Sequence, residues 1–212
     1  MISTQLQSIL KENGAYRLRP FVPILEKILS HYGSLTVLRD KDVLELGPGV
    51  RVDMMRFLQN VMGVRSISGT GSAVYWPWTQ QRAFIRQHIV NQCFLEFFGS
   101  HRRAQYDLIY SRLVFEQHSI DPWRLLTGGA YWRQFKKMDF REFDETYPAS
   151  IPNLRAVFKA AWKTLRPGGI IVSFVGKRKY TALDPAFLEG LRPSHYNIEE
   201  VGPLSAVITV KR

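Results

Sequence analysis

The stretch Val43-Leu44-Glu45-Leu46-Gly47-Pro48-Gly49 constrains the fold of this chain more than any other. Val43 to Leu46 is a short apolar run carrying one acid, entered from the polar Arg39-Asp40-Lys41-Asp42. A run of this length closed by Gly-Pro-Gly predicts a buried strand that breaks into a tight turn. Beyond the turn, Val50, Met54, Phe57, Leu58 and Val61 recur at helical spacing. The unit is therefore strand, glycine loop, helix. Glycines let backbone amides come close to a ligand, and a helix N-terminus adds partial positive charge there. A small, polar, partly anionic ligand is expected over Gly47 and Gly49. Gly-x-Gly after a strand also occurs as a plain turn, and Val52 stands where the dinucleotide fingerprint needs a third glycine.

The rest of the chain alternates strand and helix signals. Phe21 to Tyr32 repeats apolar residues at helical spacing and is stopped by Gly33. Val64 to Ser68 alternates weakly before Gly69-Thr70-Gly71-Ser72, which predicts a second strand and its turn. Thr79 is placed to cap a helix running toward Phe98, with Ile85, Ile89, Cys93 and Phe97 on one face. Tyr106 to Ser111 predicts a central strand. Asn153 to Leu165 predicts a helix, with Leu154, Val157, Phe158, Ala161, Trp162 and Leu165 inward. Arg166-Pro167-Gly168-Gly169 breaks it before a buried strand, Ile170 to Val175. Asp184 to Leu191 reads as a short helix, and Tyr196 to Val201 with Ser205 to Val210 as a terminal antiparallel hairpin. Such alternation predicts a mostly parallel sheet with helices on both faces.

With 212 residues and no repeat or linker, one domain spanning 1–212 is expected, carrying an aromatic-rich insert at about 120–150. The formal charge of +11 admits a nucleic-acid partner. No basic run longer than Lys177-Arg178-Lys179 favours one. Cys93 is the only cysteine, so no internal disulfide forms. Met1 to Gly14 is too polar for a signal peptide and no apolar run approaches membrane-spanning length, which predicts a cytoplasmic protein without a membrane partner. The histidines form no metal-ligand spacing with Cys93 or one another, and no metal is expected.

Taken together, Val43 to Gly49, Tyr106 to Glu116 and Leu165-Arg166-Pro167-Gly168-Gly169-Ile170-Ile171-Val172 resemble the class I S-adenosylmethionine-dependent methyltransferases. The resemblance covers most of Asp42 to Val210. It implies a three-layer, Rossmann-like α/β fold with a mostly parallel seven-stranded sheet ending in a C-terminal antiparallel hairpin, and S-adenosylmethionine as cofactor. The glycine loop Gly47, Pro48 and Gly49 would lie against the cofactor, with Glu45 near the methionine ammonium. Arg51 departs from the family, standing where a third glycine is common, and would either pair with the cofactor's carboxylate or block the site. Thr70, Gly71 and Ser72 would face the ribose. Ser111, with Arg112 and Leu113, would line the mouth shared by cofactor and acceptor.

The chain departs from the family at the second strand. An acid there usually holds the ribose hydroxyls, yet Gly71 takes its place and no Asp or Glu occurs between Asp53 and Glu96. Methyl transfer asks mainly for alignment, so no fixed catalytic constellation is expected. His118 beside Glu116 is a candidate for moving a proton, a structural histidine being the other reading. Ser111 is not followed by the Pro-Pro-aromatic pattern of amino-methylating nucleic-acid enzymes, which favours a small-molecule acceptor. The alternatives are a catalytically silent methyltransferase-like module and an RNA-associated methyltransferase. Gly71→Asp is expected to tighten S-adenosylmethionine binding about tenfold, or ~1.4 kcal/mol, in a calorimetric titration. Weakened binding would place the end of the second strand elsewhere.

Overall fold

The computed structural model describes residues 4–13, 18, 21–48, 52–70, 82–90, 92, 94–101, 103–112, 156–176, 196–201 and 204–211. Its elements in chain order are α1 (Thr4–Glu12), α2 (Val22–Tyr32), β1 (Asp42–Leu46), α3 (Asp53–Asn60), β2 (Ser66–Thr70), α4 (Arg82–His88), β3 (Ile89–Val90), α5 (Phe94–Ser100), β4 (Tyr106–Arg112), a helix α6 over residues 156–164, β5 (Leu165–Gly176), β6 (Tyr196–Val201) and β7 (Leu204–Val210). The sheet order is β3-β2-β1-β4-β5-β7-β6. The first five strands pair in parallel, while β7 runs antiparallel to both β5 and β6. The expected α/β chain with a mostly parallel sheet is what forms. Among the described residues no helix is long and apolar enough to cross a membrane.

Strand β1 lies at the centre because its sequence suits nothing else. Val43, Leu44 and Leu46 are fully buried, with β2 on one side and β4 on the other. A strand apolar on both faces needs a layer on each. One layer packs α1, α2 and α3 against Val43, Ile67, Leu108 and Ile170, with Leu6, Leu25, Ile28, Met54 and Leu58 in the same core. The other sets Phe97 and Phe98 of α5 and Val157, Phe158 and Ala161 of α6 against Leu44, Leu46, Ile109 and Ile171. Helix α1, not among the sequence expectations, is held by the fully buried Leu6 with Ile9 and Leu10 packed against the same core. Helix α2 ends as expected at Gly33, whose φ of 74° allows its N–H to return to the Leu29 carbonyl.

Two sequence expectations need correction. The helix expected from Thr79 toward Phe98 is interrupted by β3, where Ile89 and Val90 pair with Gly69 and Thr70. β-Branched Ile89-Val90 suits an extended edge strand better than a helix. Ile85 and Ile89 enter one core and Phe97 the other, so the chain crosses the sheet edge between them. The second strand also ends later than expected, at Thr70, which puts Gly69 inside it. The short helix expected at Asp184 to Leu191 lies outside the described residues.

The amino ends of the strands are tied by charge. Asp107 Oδ2 accepts from the Asp42 backbone N–H at 2.8 Å and from Arg166 Nη1 at 2.6 Å. Arg166 also pairs with Asp42 at 2.6 Å, and Arg65 and Ser66 donate to Asp42 Oδ1 at 2.9 and 2.6 Å. The hydrogen bond from Arg65, ahead of Arg166 and Ser66, holds the Asp42 carboxyl well below the usual carboxylate range. Tyr32 donates to the Asp107 carbonyl at 2.7 Å, joining α2 to this knot. One pole of β1, β2, β4 and β5 is locked in this way.

Candidate functional site

Parallel register sets the polar side chains of the carboxyl pole in two rows. In the first, Glu45 of β1 lies opposite Gly69 of β2 and Tyr110 of β4, and Tyr110 lies opposite Val172 of β5. In the next, Leu46 lies between Thr70 and Ser111, and Ser111 lies beside Ser173. Successive side chains alternate across a strand, so the two rows face opposite layers.

Glu45 is the charge-bearing group of the first row and is only 2% exposed. Its Oε2 accepts a 2.6 Å hydrogen bond from the hydroxyl of Tyr110, itself fully buried. Burial pushes the Glu45 carboxyl up to about 8, partly opposed by that hydrogen bond. Burial, with Glu45 beside it, pushes the Tyr110 hydroxyl well above its ordinary value. At neutral pH the pair is therefore largely a carboxylic acid and a phenol. In the second row the hydroxyls of Ser111 and Ser173 lie 2.7 Å apart, both 1% exposed. The Thr70 hydroxyl donates to the Gln92 carbonyl at 3.1 Å.

The loop leaves β1 through Gly47, whose φ of 64° lies in the left-handed region that favours glycine. Its N–H donates to the Thr70 carbonyl at 2.9 Å, so the loop is stitched to the end of β2. Pro48 is buried on top of Gly69, where an added Cβ would stand 3.1 Å from the Pro48 ring and 3.3 Å from both Met55 and Ile89. The absence of a side chain at Gly69 makes room for the loop of the neighbouring strand.

Of the residues singled out in the sequence, Glu45, Gly47, Pro48, Thr70 and Ser111 gather at this pole. Gly49, Arg51, Gly71, Ser72, Leu113, Glu116, His118 and the 120–150 insert lie outside the described residues. Sequence reasoning missed Tyr110, Ser173 and Gly69. The signal for Tyr110 was a tyrosine inside an apolar run on the strand pairing with β1. Gly69 was readable only as part of a turn.

Strand order defines what such a pole can do. From β1 the chain moves outward through β2 and β3, then returns to the other side of β1 as β4. In an open α/β sheet the crevice outside the carboxyl ends at such a switch point is where ligands bind. The Glu45–Tyr110 pair bridges the two strands that flank it.

No family model matches the sequence, and no curated protein matches it. Solved structures do. The chain is 16% identical to a T. thermophilus 16S rRNA methyltransferase, RsmC, with a TM-score of 0.54, covering 90% of this chain and 42% of that one. For the bifunctional kinase-methyltransferase WbdD the identity is 10% and the TM-score 0.52, over 92% and 39% of the two chains. A SAM-dependent methyltransferase from Aquifex aeolicus is 14% identical with a TM-score of 0.50, over 96% of each chain. The chain has the class I S-adenosylmethionine-dependent methyltransferase fold. It spans about two fifths of the length of RsmC and WbdD and nearly the whole of the Aquifex protein. Within that fold, Glu45 stands on the first strand, Gly47 directly after it and Ser111 on the fourth.

The protonation of Glu45 carries a stability signature. Between pH 4.5 and about 8 the folded chain holds a proton that the unfolded chain has released. Stability therefore falls as pH rises through that window, by at most about 1.4 kcal/mol per pH unit. Glu45→Gln keeps an acceptor for Tyr110 and is expected to remove this slope in denaturant unfolding across the window. An unchanged slope would contradict the burial of an acid there.

Proposed function

We propose that this chain is an S-adenosylmethionine-dependent methyltransferase acting on a small-molecule acceptor. The observation that carries the reading is a buried acid and a glycine loop meeting at the switch point between β1 and β4. The donor set suits the cofactor. A carboxyl at Glu45 matches an ammonium group, and the backbone from Gly47 onward can approach a ligand closely. Gly47, Pro48 and Gly49 would hold the cofactor, with Arg51 at its carboxylate and Thr70, Gly71 and Ser72 along its ribose. With its hydroxyl bonded to Gln92, Thr70 would serve through its backbone. Ser111, paired with Ser173, would stiffen the wall toward the acceptor.

Bound there, the cofactor supplies an electrophilic methyl group on a sulfonium. This chain's residues would orient the acceptor against it and exclude water, which is most of what methyl transfer requires. His118 beside Glu116 would take a proton from an acceptor that must lose one. We read the sheet as the full seven-stranded arrangement closed by the β6–β7 hairpin, and residues 1–212 as a single domain. The aromatic segment from Trp123 to Tyr147 would cap the acceptor. A cytoplasmic location accords with this chemistry.

Two observations favour other readings. The lack of any acid between Asp53 and Glu96 favours a catalytically silent module, and the +11 charge favours an RNA acceptor like that of RsmC. Calorimetric titration with S-adenosylmethionine and its demethylated product separates them. Both are expected to bind, and Gly49→Val is expected to abolish binding while keeping a cooperative melt. Absence of binding by the parent would leave the silent module standing.

A further inference from the structure

We propose that Tyr110 is a positioning residue of the cofactor site, acting through Glu45 to set the pH at which the site accepts a cationic amine. The inference rests on the methyltransferase reading and deepens it.

The geometry begins with register. Glu45 and Tyr110 are direct partners across β1 and β4, one row below Leu46 and two residues from the Gly47 loop. A phenylalanine would fill the same buried place, so the distinctive contribution of Tyr110 is its hydroxyl, 2.6 Å from Glu45 Oε2. The rest of the row is Gly69 and Val172. The layer over it presents Met54, Met55 and Leu58 of α3 and Ile24, Leu25 and Ile28 of α2 to the core. The charged and titratable groups described on these helices and on α4 are half-buried or exposed: Glu26, Lys27, His31, Tyr32, Asp53, Arg56, Arg86 and His88, with Tyr32 bonded to the Asp107 carbonyl and His88 held by the Ile67 carbonyl. Among the described residues, Tyr110 is the titratable group that bonds Glu45.

A neutral carboxylic acid offers an ammonium group no Coulomb attraction, and a carboxylate does. Binding the cofactor's ammonium beside Glu45 therefore requires the Glu45 O–H bond to break. The electron pair stays on the carboxylate and the proton passes to solvent. Burial opposes that ionisation and the Tyr110 hydrogen bond promotes it. The hydroxyl of Tyr110, pushed well above its ordinary value, remains a donor throughout the range. Only the fraction of molecules with ionised Glu45 is competent, so apparent affinity follows that fraction.

The experiment is calorimetric titration of S-adenosylmethionine into the full chain from about pH 6 to about pH 9, in paired buffers of different ionisation enthalpy. Glu45→Gln provides the baseline, because it retains only the titration of the ligand's own amine. Relative to that baseline, the parent is expected to gain about tenfold in affinity per pH unit up to about pH 8, and to release about one proton near neutrality. Tyr110→Phe is expected to move the midpoint upward by about one unit, weakening binding about tenfold at neutral pH and narrowing to about twofold below the parent at the alkaline end. A merely structural tyrosine would lower affinity equally at every pH, which overturns the proposal. Should Tyr110→Phe fail to fold, the parent's proton release against Glu45→Gln decides. Binding with no proton release overturns the proposal and leaves the methyltransferase reading intact, whereas no binding at any pH overturns both.

Discussion

Glu45 is a carboxyl placed inside the central strand of a parallel sheet, 2% exposed and bonded to one phenol. Such a position opposes charge, because the low dielectric of the interior penalises an ion that has no cation beside it. The architecture around it follows from that constraint. β1 must be flanked on both sides so that Tyr110 of β4 can reach the carboxyl, and Gly69 of β2 must be bare so that Pro48 can pack above it. The left-handed turn at Gly47 then carries the loop over the same point, pinned by its hydrogen bond to Thr70. A polar defect at this place raises the energy of the folded state. The proposed cofactor site gives that defect a use.

The two ends of the strands divide the labour between them. At the amino pole Asp42, Asp107, Arg65 and Arg166 satisfy one another and hold four strands in register. At the carboxyl pole the acid of Glu45 is bonded by the Tyr110 phenol, and the hydroxyls of Ser111 and Ser173 bond each other. Charges already matched by neighbours offer little to a ligand, whereas a neutralised acid retains the capacity to ionise when a cation arrives. Rigidity at one pole and latent charge at the other belong to the same sheet.

Much of this was legible in the sequence, for physical reasons. The apolar run of β1, its glycine exit and the helix that follows are local patterns, and local patterns survive in any context. The stop of α2 at Gly33 is of the same kind. What escaped depended on distance. Tyr110 and Glu45 are 65 residues apart and meet only through strand register. Gly69 looked like turn chemistry because the reason for a bare backbone, the Pro48 ring, comes from another loop. Ile89-Val90 looked helical because Ile85, Ile89 and Phe97 share a period, yet they end on opposite faces of the sheet. Helix α1 escaped because it is short and mostly polar, its apolar anchors being Leu6, Ile9 and Leu10.

The central claim is that the buried acid of β1 belongs to the cofactor site. Carbon-13 NMR of the Glu45 side-chain carboxyl, titrated with and without S-adenosylmethionine, tests it most directly. The account predicts a midpoint near 8 in the free chain and a marked fall once the cofactor's ammonium is bound. A midpoint in the ordinary carboxylate range, or one that the cofactor leaves unmoved while binding, would contradict it.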